Sequence, residues 1–137
     1  MLIRDIMQTK VQLVELKTPI KEVAQMMREG DFGIVPVQEN EKMVGMITDR
    51  DIVLRCVAED KSPSECMARD VMTDEVLYCY DDQNIEDLSR TLSENKVRRM
   101  PVVNRDKRLV GIVSLSDLAA PEQSKNLAGN TLHEVSH

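Results

Sequence analysis

The sequence predicts an α/β protein made of two copies of one β-α-β-β-α unit, packed sheet against sheet about a pseudo-twofold axis. Three observations carry the prediction: a repeat at nearly constant offset, an amphipathic helical stripe in each copy, and a β-rich hairpin in each copy that ends on a hydroxyl and a carboxylate. Residues 4–37 lie on residues 69–102 at an offset of 65, pairing Arg4 with Arg69, Asp5 with Asp70, Met7 with Met72, Val11 with Val76, Ile20 with Ile85, Glu29 with Glu94, Pro36 with Pro101 and Val37 with Val102. One residue is then inserted in a polar turn, where extra residues are tolerated. The offset becomes 66, so that Val44, Gly45 and Asp51 meet Val110, Gly111 and Asp117. Self-similarity over this length marks a duplicated supersecondary unit.

Taken in chain order, each copy opens with an extended segment, residues 11–16 or 76–80. A helix follows, because Ile20, Val23 and Met27 in one copy and Ile85, Leu88 and Leu92 in the other fall at i, i+3, i+7, the spacing of one buried face. Thr18-Pro19 reads as an N-cap followed by proline at the first helical position, where a missing N–H costs nothing. Gly30 and Asn95 are the residue types that best accept the left-handed conformation just beyond a helix. Two β-rich runs come next, residues 32–37 and 43–47, separated by the polar "QENEK", and their counterparts are residues 97–103 and 109–113 around "NRDKR". A second helix begins near Asp49 or Leu115. A three-stranded sheet with helices on one side leaves its other face bare, which predicts the sheet-to-sheet packing.

The repeat divides the chain into residues 1–66, a first repeat with its connector, residues 67–121, a second repeat, and a tail of residues 122–137. Residues 58–68, polar and containing Pro63, read as the connector, and Pro121 shortens the last helix. In the tail, the spacing of Leu127, Leu132 and Val135 is compatible with one short helix.

Composition narrows the function. The chain has 137 residues, 42% hydrophobic and 31% charged, as in a globular protein, and no window approaches the roughly 18 apolar residues of a membrane span. Arg4 and Asp5 interrupt the start before a signal-peptide core could form, so a cytoplasmic location is expected. Cys56, Cys66 and Cys79 are odd in number and lack CxxC spacing, which speaks against a disulfide framework or a zinc site, and they read as buried or half-buried thiols. A formal net charge of −6 disfavours nonspecific binding to nucleic acid or anionic membrane. The three aromatic residues, Phe32, Tyr78 and Tyr80, are too few for single-strand stacking platforms.

The duplicated "GMITDRD" (45–51) and "GIVSLSD" (111–117) carry the chemistry. Thr48 sits where a strand hands over to a helix, beside N–H groups that lack backbone partners and favour negative charge, so a phosphate fits there. Asp51, one turn on, can accept from both hydroxyls of a ribose, as carboxylates do in dinucleotide folds. Ser114 and Asp117 take these roles in the second copy, with Ser116 as a further hydroxyl. A hydroxyl followed three residues later by an acid is also a capping-box start of a helix, which explains both motifs without a ligand, and a duplicated fold duplicates its caps.

The openings "DIM" (5–7) and "DVM" (70–72), the runs "VPV" and "MPVV", and the two glycine-to-aspartate motifs together resemble the tandem cystathionine-β-synthase-type (CBS) domain pair, over residues 1 to about 120. The resemblance implies a non-catalytic regulatory module that binds adenosine ligands such as AMP, ADP, ATP, S-adenosylmethionine or NAD in clefts between the two repeats. It implies ribose held by Asp51 and Asp117, phosphate held by Thr48 and Ser114, and adenine in an apolar cleft beside Val37 and beside Met100, Pro101 and Val102. Arg98 and Arg99 match the basic pair that reaches phosphates in some members, whereas the aligned Gly33 and Ile34 do not, so the two sites should differ. Arg50 could partly replace the missing bases, and each of these arginines also reads as an ordinary solvated side chain.

An enzyme is disfavoured, because both histidines, His133 and His137, lie in the tail and no cysteine stands beside a candidate base. The remaining alternative is a structural dimerisation or adaptor protein with unoccupied clefts. Members of the family commonly form homodimers, for which the stripe Ile52, Val53 and Cys56 is a candidate surface, and a separate protein effector would read the ligand state. No required cofactor or metal is implied.

Overall fold

The computed structural model describes residues 1–119, so Pro121, the tail from 122 and both histidines lie outside the described residues. The chain forms two compact units, one of residues Gln12–Val76, the other of Met1–Val11 together with the chain from Leu77 onward. Each carries a three-stranded sheet and helices, so the architecture is mixed α/β, and each unit is built around the same order of elements.

In the unit of residues 12–76, the strands are β1 (Val14–Glu15), β2 (Ile34–Glu39) and β3 (Lys42–Thr48), in sheet order β1-β2-β3, with β1 parallel to β2 and β2 antiparallel to β3. Helix α1 (Ile20–Gly30) lies between β1 and β2; its stripe Ile20, Val23 and Met27 is buried as its periodicity predicts. Pro36 is tolerated in the middle strand because Met46, opposite it on β3, spends its own N–H and C=O on Thr73, and β1 pairs only with Val37 and Gln38, so no ladder partner is waiting for a proline N–H. Asn40 and Glu41, at φ 52° and 66°, form the two-residue turn between β2 and β3, with both central residues left-handed as a hairpin of this hand requires. Helix α2 (Asp49–Ile52) continues as a π-helical turn, Val53–Val57, and a short α3 (Ala68–Val71) closes the unit.

The other unit repeats the plan with β4 (Cys79–Tyr80), α4 (Ile85–Asn95), β5 (Arg99–Val103), β6 (Leu109–Ser114) and α5 (Leu115–Ala119), in sheet order β4-β5-β6. Ile85, Leu88 and Leu92 are buried, and Ile3, from the short 3-10 turn Ile3–Asp5 near the start of the chain, joins their cluster. The register between the antiparallel strands slips at the same place in both sheets, after Val37 and after Val102.

Three local readings need correction. Thr18 does not cap α1; Pro19 holds the N-cap position and the Thr18 hydroxyl accepts from Glu15 N–H at 3.0 Å. The first helical N–H groups find other partners, since Ile20 N–H donates to Cys66 O (2.8 Å) and Lys21 N–H to Pro63 O (3.0 Å). The connector thus supplies the carbonyls that cap the helix. Second, the left-handed residues are Asp31 and Lys96, one position after Gly30 and Asn95. Gly30 is small for a different reason: a Cβ there would overlap the ring of Phe32. Third, the extended segments are shorter than expected, two residues each in β1 and β4.

The units do not follow the sequence repeat. Met1 O accepts from Ile85 N–H (3.2 Å), as Cys66 O does from Ile20, and Arg4 N–H donates to Asp81 O (3.0 Å), as Arg69 N–H does to Leu16 O (3.0 Å). Each opening segment therefore completes the unit that holds the other copy's hairpin.

Candidate functional site

At the junction of β3 and α2, Thr48 is extended and its side chain and that of Asp51 bond reciprocally: Asp51 N–H donates to Thr48 Oγ1 (3.0 Å) and Thr48 N–H to Asp51 Oδ2 (2.9 Å). This is a capping box, and it satisfies two donors that the helix start would otherwise orphan. Oδ1 of Asp51 accepts no hydrogen bond among the described residues. Asp49 lies over Gly33, whose Cβ, were there one, would stand 2.9 Å from the Asp49 carboxylate. Asp49 N–H donates to Gly33 O (2.9 Å), and Asp49 Oδ1 accepts from Arg50 N–H (2.9 Å). The Arg50 side chain is exposed.

The junction of β6 and α5 keeps the box and adds to it. Asp117 Oδ2 accepts from Ser114 N–H (2.8 Å) and from Ser114 Oγ (3.1 Å), and Asp117 N–H donates to Ser114 Oγ (3.3 Å). Oδ1 accepts from Gln8 Nε2 at 2.8 Å. Asp117 is buried, 9% exposed, with both oxygens engaged, while Ser116 is exposed. Arg99 pairs with Ser114 across the strands, and Leu115 N–H donates to Arg98 O (2.8 Å), which brings both arginines to this junction with their side chains exposed. The fold thus gathers Ser114, Ser116, Asp117, Arg98 and Arg99 at one place, and Thr48, Arg50 and Asp51 at the equivalent place of the other unit, where Gly33 and Ile34 stand instead of arginines.

Val37, Met100, Pro101 and Val102 are all buried. Val37, Met100 and Val102 belong to the hydrophobic clusters of their units and bring no exposed apolar surface to the motifs. Of the stripe on the second helix of the first copy, Ile52 and Cys56 are core residues, and Val53 is exposed together with Leu54 and Val57.

Sequence reasoning missed the residues that cross the motifs. The motif glycines exist because an opening segment crosses them: a Cβ on Gly45 would stand 2.6 Å from Met72 Sδ and 3.0 Å from Thr73 O, and one on Gly111 would stand 2.7 Å from Met7 Sδ and 2.8 Å from Gln8 O. Thr73 bridges Met46 and Gln8 bridges Ile112, so these segments also cover the outer edges of β3 and β6. Arg55 clamps one crossing, its Nη1 donating to Val71 O (3.0 Å), Met72 O (3.1 Å) and Thr73 Oγ1 (3.2 Å). The signal available was the pairing of Gln8 with Thr73 in the repeat, two unlike side chains directly after a shared "D-x-M".

Elsewhere, an open depression of about 420 Å³ is lined by Asp60, Lys61, Ser62, Glu65, Cys66 and Asp70. Among the described residues no group of three or more His, Cys, Asp or Glu is placed to hold a metal ion, and no helix is long and apolar enough to cross a membrane. All three cysteines are free and buried. Burial pushes the Cys79 thiol up to about 12, and burial and the neighbouring Cys56 push that of Cys66 up.

The CBS domain model matches this chain twice, over residues 3–58 and 68–120. The chain belongs to the CBS domain family. The CBS domain-containing protein YhcV of Bacillus subtilis is 36% identical over 135 residues, covering 98% of this chain and 95% of its own. Among solved structures, Hypoxic Response Protein I with two coordinated zinc ions is similar at a TM-score of 0.76 and 35% identity, over 87% of this chain and 97% of that one. The CBS domain pair of protein MJ0100 in complex with 5′-methylthioadenosine and S-adenosyl-L-methionine is similar at a TM-score of 0.73 and 26% identity, over 87% and 97%. CBSX2 in complex with AMP is similar at a TM-score of 0.72 and 27% identity, over 85% and 91%. The fold read from the repeat is therefore that of CBS domain pair proteins.

Proposed function

We propose that this CBS domain protein is a non-catalytic regulatory module that binds adenosine-containing ligands, of the AMP, ADP and ATP class or S-adenosylmethionine and NAD, at its two strand-to-helix junctions. The observation that carries the reading is the duplicated carboxylate. Asp51 and Asp117 are each pinned through Oδ2 by capping bonds, which leaves Oδ1 of Asp51 open to ribose hydroxyls and Oδ1 of Asp117 an acceptor shared with Gln8 Nε2. Thr48 and Ser114 stand beside them as hydroxyls for phosphate. Arg98 and Arg99 add cationic donors at the second junction, with Ser116 nearby, and Arg50 is the base available at the first. The AMP complex of CBSX2 and the methylthioadenosine and S-adenosylmethionine complex of MJ0100 support the ligand class.

Adenine contacts at Val37, Met100, Pro101 and Val102 require these buried positions to be uncovered, so binding carries a conformational change. A ligand can shift such an equilibrium only by its differential affinity for the two forms, and the form it favours is what a separate protein effector would read. We assign the protein to the cytoplasm and to a homodimer, with exposed Val53, Leu54 and Val57 as the dimer surface. The repeat division, residues 1–66, 67–121 and 122–137, is the proposed unit of ligand recognition rather than of compaction. The net charge of −6 supports a role apart from nucleic acid.

A second reading is favoured by the completeness of the capping boxes, which account for all four motif side chains without a ligand: an adaptor that dimerises and holds a partner. Thermal melting separates the two. A ligand that binds only the folded form at 100 times its dissociation constant adds about 2.7 kcal/mol, a visible rise in Tm. A Tm unmoved by millimolar AMP, ADP, ATP, S-adenosylmethionine and NAD, with magnesium, decides for the adaptor.

A further inference from the structure

We infer that Gln8 is a specificity-determining residue of the Ser114 junction, where its side-chain amide competes with ribose for Oδ1 of Asp117. The inference rests on the nucleotide reading above and goes beyond it by naming the residue that makes the two junctions unequal.

A carboxylate offers about four lone-pair sites. At Asp117, Ser114 N–H and Ser114 Oγ–H fill those of Oδ2, and Gln8 Nε2 takes one of Oδ1 at 2.8 Å. One acceptor site remains, and a ribose diol brings two donors. At Asp51 only Thr48 N–H occupies the carboxylate among the described residues, so the diol can be accepted whole. Two-handed recognition of ribose at Asp117 therefore requires Gln8 to leave, and at Asp51 nothing has to leave.

Gln8 is delivered by a fixed backbone. Its N–H donates to Ile112 O (2.8 Å), its C=O accepts from Ile112 N–H (2.9 Å), and the preceding Met7 lies on Gly111. Thr73 occupies the same backbone position in the other unit, bonded twice to Met46 (2.8 and 2.9 Å), but its side chain is a short hydroxyl that accepts from Arg55. One difference between the copies, glutamine against threonine, thus decides whether the carboxylate is engaged. The Ser114 junction therefore binds every ribose ligand more weakly by the cost of the Gln8 bond, a loss its phosphate contacts offset, whereas the Thr48 junction accepts the phosphate-free nucleoside without that loss.

The test is calorimetric titration of the full chain with adenosine and with AMP, in an Asp51→Ala background that leaves the Ser114 junction to be read alone. Gln8→Thr and Gln8→Ala should tighten both ligands by the same factor, about fivefold to tenfold for one hydrogen bond to a charged group that partly regains water. Equal gains mark a removed competitor rather than a new phosphate contact, and the gain should vanish when Asp117→Ala is added. The Gln8 side-chain amide resonances should also move toward solvent values as AMP saturates the Asp51→Ala protein. Unchanged or weaker binding in both Gln8 variants, or amide resonances that stay put at saturation, overturns the inference alone. No binding of either ligand by the parent or any variant overturns the nucleotide reading and this inference with it.

Discussion

Met7 lies on Gly111, and Met72 lies on Gly45. In each pair a methionine from the opening of one sequence copy sits on the motif glycine of the other, 104 residues away along the chain in the first case (111 − 7) and 27 in the second (72 − 45). The glycine is there for space rather than for backbone freedom, since no glycine among the described residues has positive φ.

From that contact, Gly111→Ala should destabilise the protein by about 1–3 kcal/mol, the usual range for a core side chain with no room. The added methyl meets backbone, Gln8 O at 2.8 Å, as well as the movable Met7 sulfur. Gly45→Ala should cost less, because its nearest backbone atom, Thr73 O, is at 3.0 Å and the closer atom is a flexible Met72 sulfur. Urea denaturation of the two variants gives the order directly, and a larger loss in Gly45→Ala contradicts it.

Removing a motif carboxylate should act twice. Asp51→Ala loses a capping box and about 0.5–2 kcal/mol of stability, and in calorimetry it should lose one equivalent of bound AMP. Asp117→Ala should cost more stability than Asp51→Ala, because the same truncation also removes the bonds from Gln8 Nε2 and the Ser114 hydroxyl. Parent-like AMP stoichiometry in both variants rules out the ribose assignment.

The arginines should matter for phosphate alone. Arg98→Ala combined with Arg99→Ala is expected to weaken ATP and AMP binding by roughly tenfold or more, in line with lost charge-assisted bonds, while adenosine affinity stays within about twofold. The double variant compared against both ligand types in one titration series checks this. Equal loss for adenosine and ATP means that the two side chains support the fold at β5 instead.

Alkaline stability should report Cys79. The thiol is buried on β4 beside β5, its Sγ donating to Pro101 O at 3.7 Å, and burial raises it from 9.0 to about 12. A raised acid keeps its proton in the folded chain when the unfolded chain has lost it. Its contribution is therefore complete below about pH 9 and disappears as pH climbs to about 12, at up to about 1.4 kcal/mol per pH unit. Cys79→Val should flatten the alkaline limb of a stability profile, and identical limbs in variant and parent would remove the thiol from the explanation. At the acid end, the Arg105 guanidinium, through its hydrogen bonds and charge, holds the half-buried Asp82 carboxyl below the usual range, so the contribution of this pair is lost as pH falls through that lowered value.

What could be read directly were features whose cause is local. The stripe Ile20, Val23 and Met27 needs only helical geometry to become a buried face, and Thr48 with Asp51 needs only three residues of separation to become a capping box. The hairpins followed from runs of β-branched residues around polar turns, though the turn itself narrowed to Asn40 and Glu41. Thr18 was misread because its hydroxyl found a nearer N–H in Glu15, and nothing in the local pattern announced that carbonyls of Pro63 and Cys66 would serve α1 in its place.

By itself the sequence determined the duplicated β-α-β-β-α plan, the helix faces, the strand-to-helix boxes and membership in the CBS domain family, because periodicity and repetition are properties of neighbouring residues. Only the tertiary structure decided that residues 1–11 complete the unit of the second hairpin, that Met7 and Met72 sit on the motif glycines, and that Gln8 reaches Asp117 across 109 positions. Such contacts depend on which segments the folded backbone brings within 3 Å, and a pairing between distant positions leaves no period in the chain to be read.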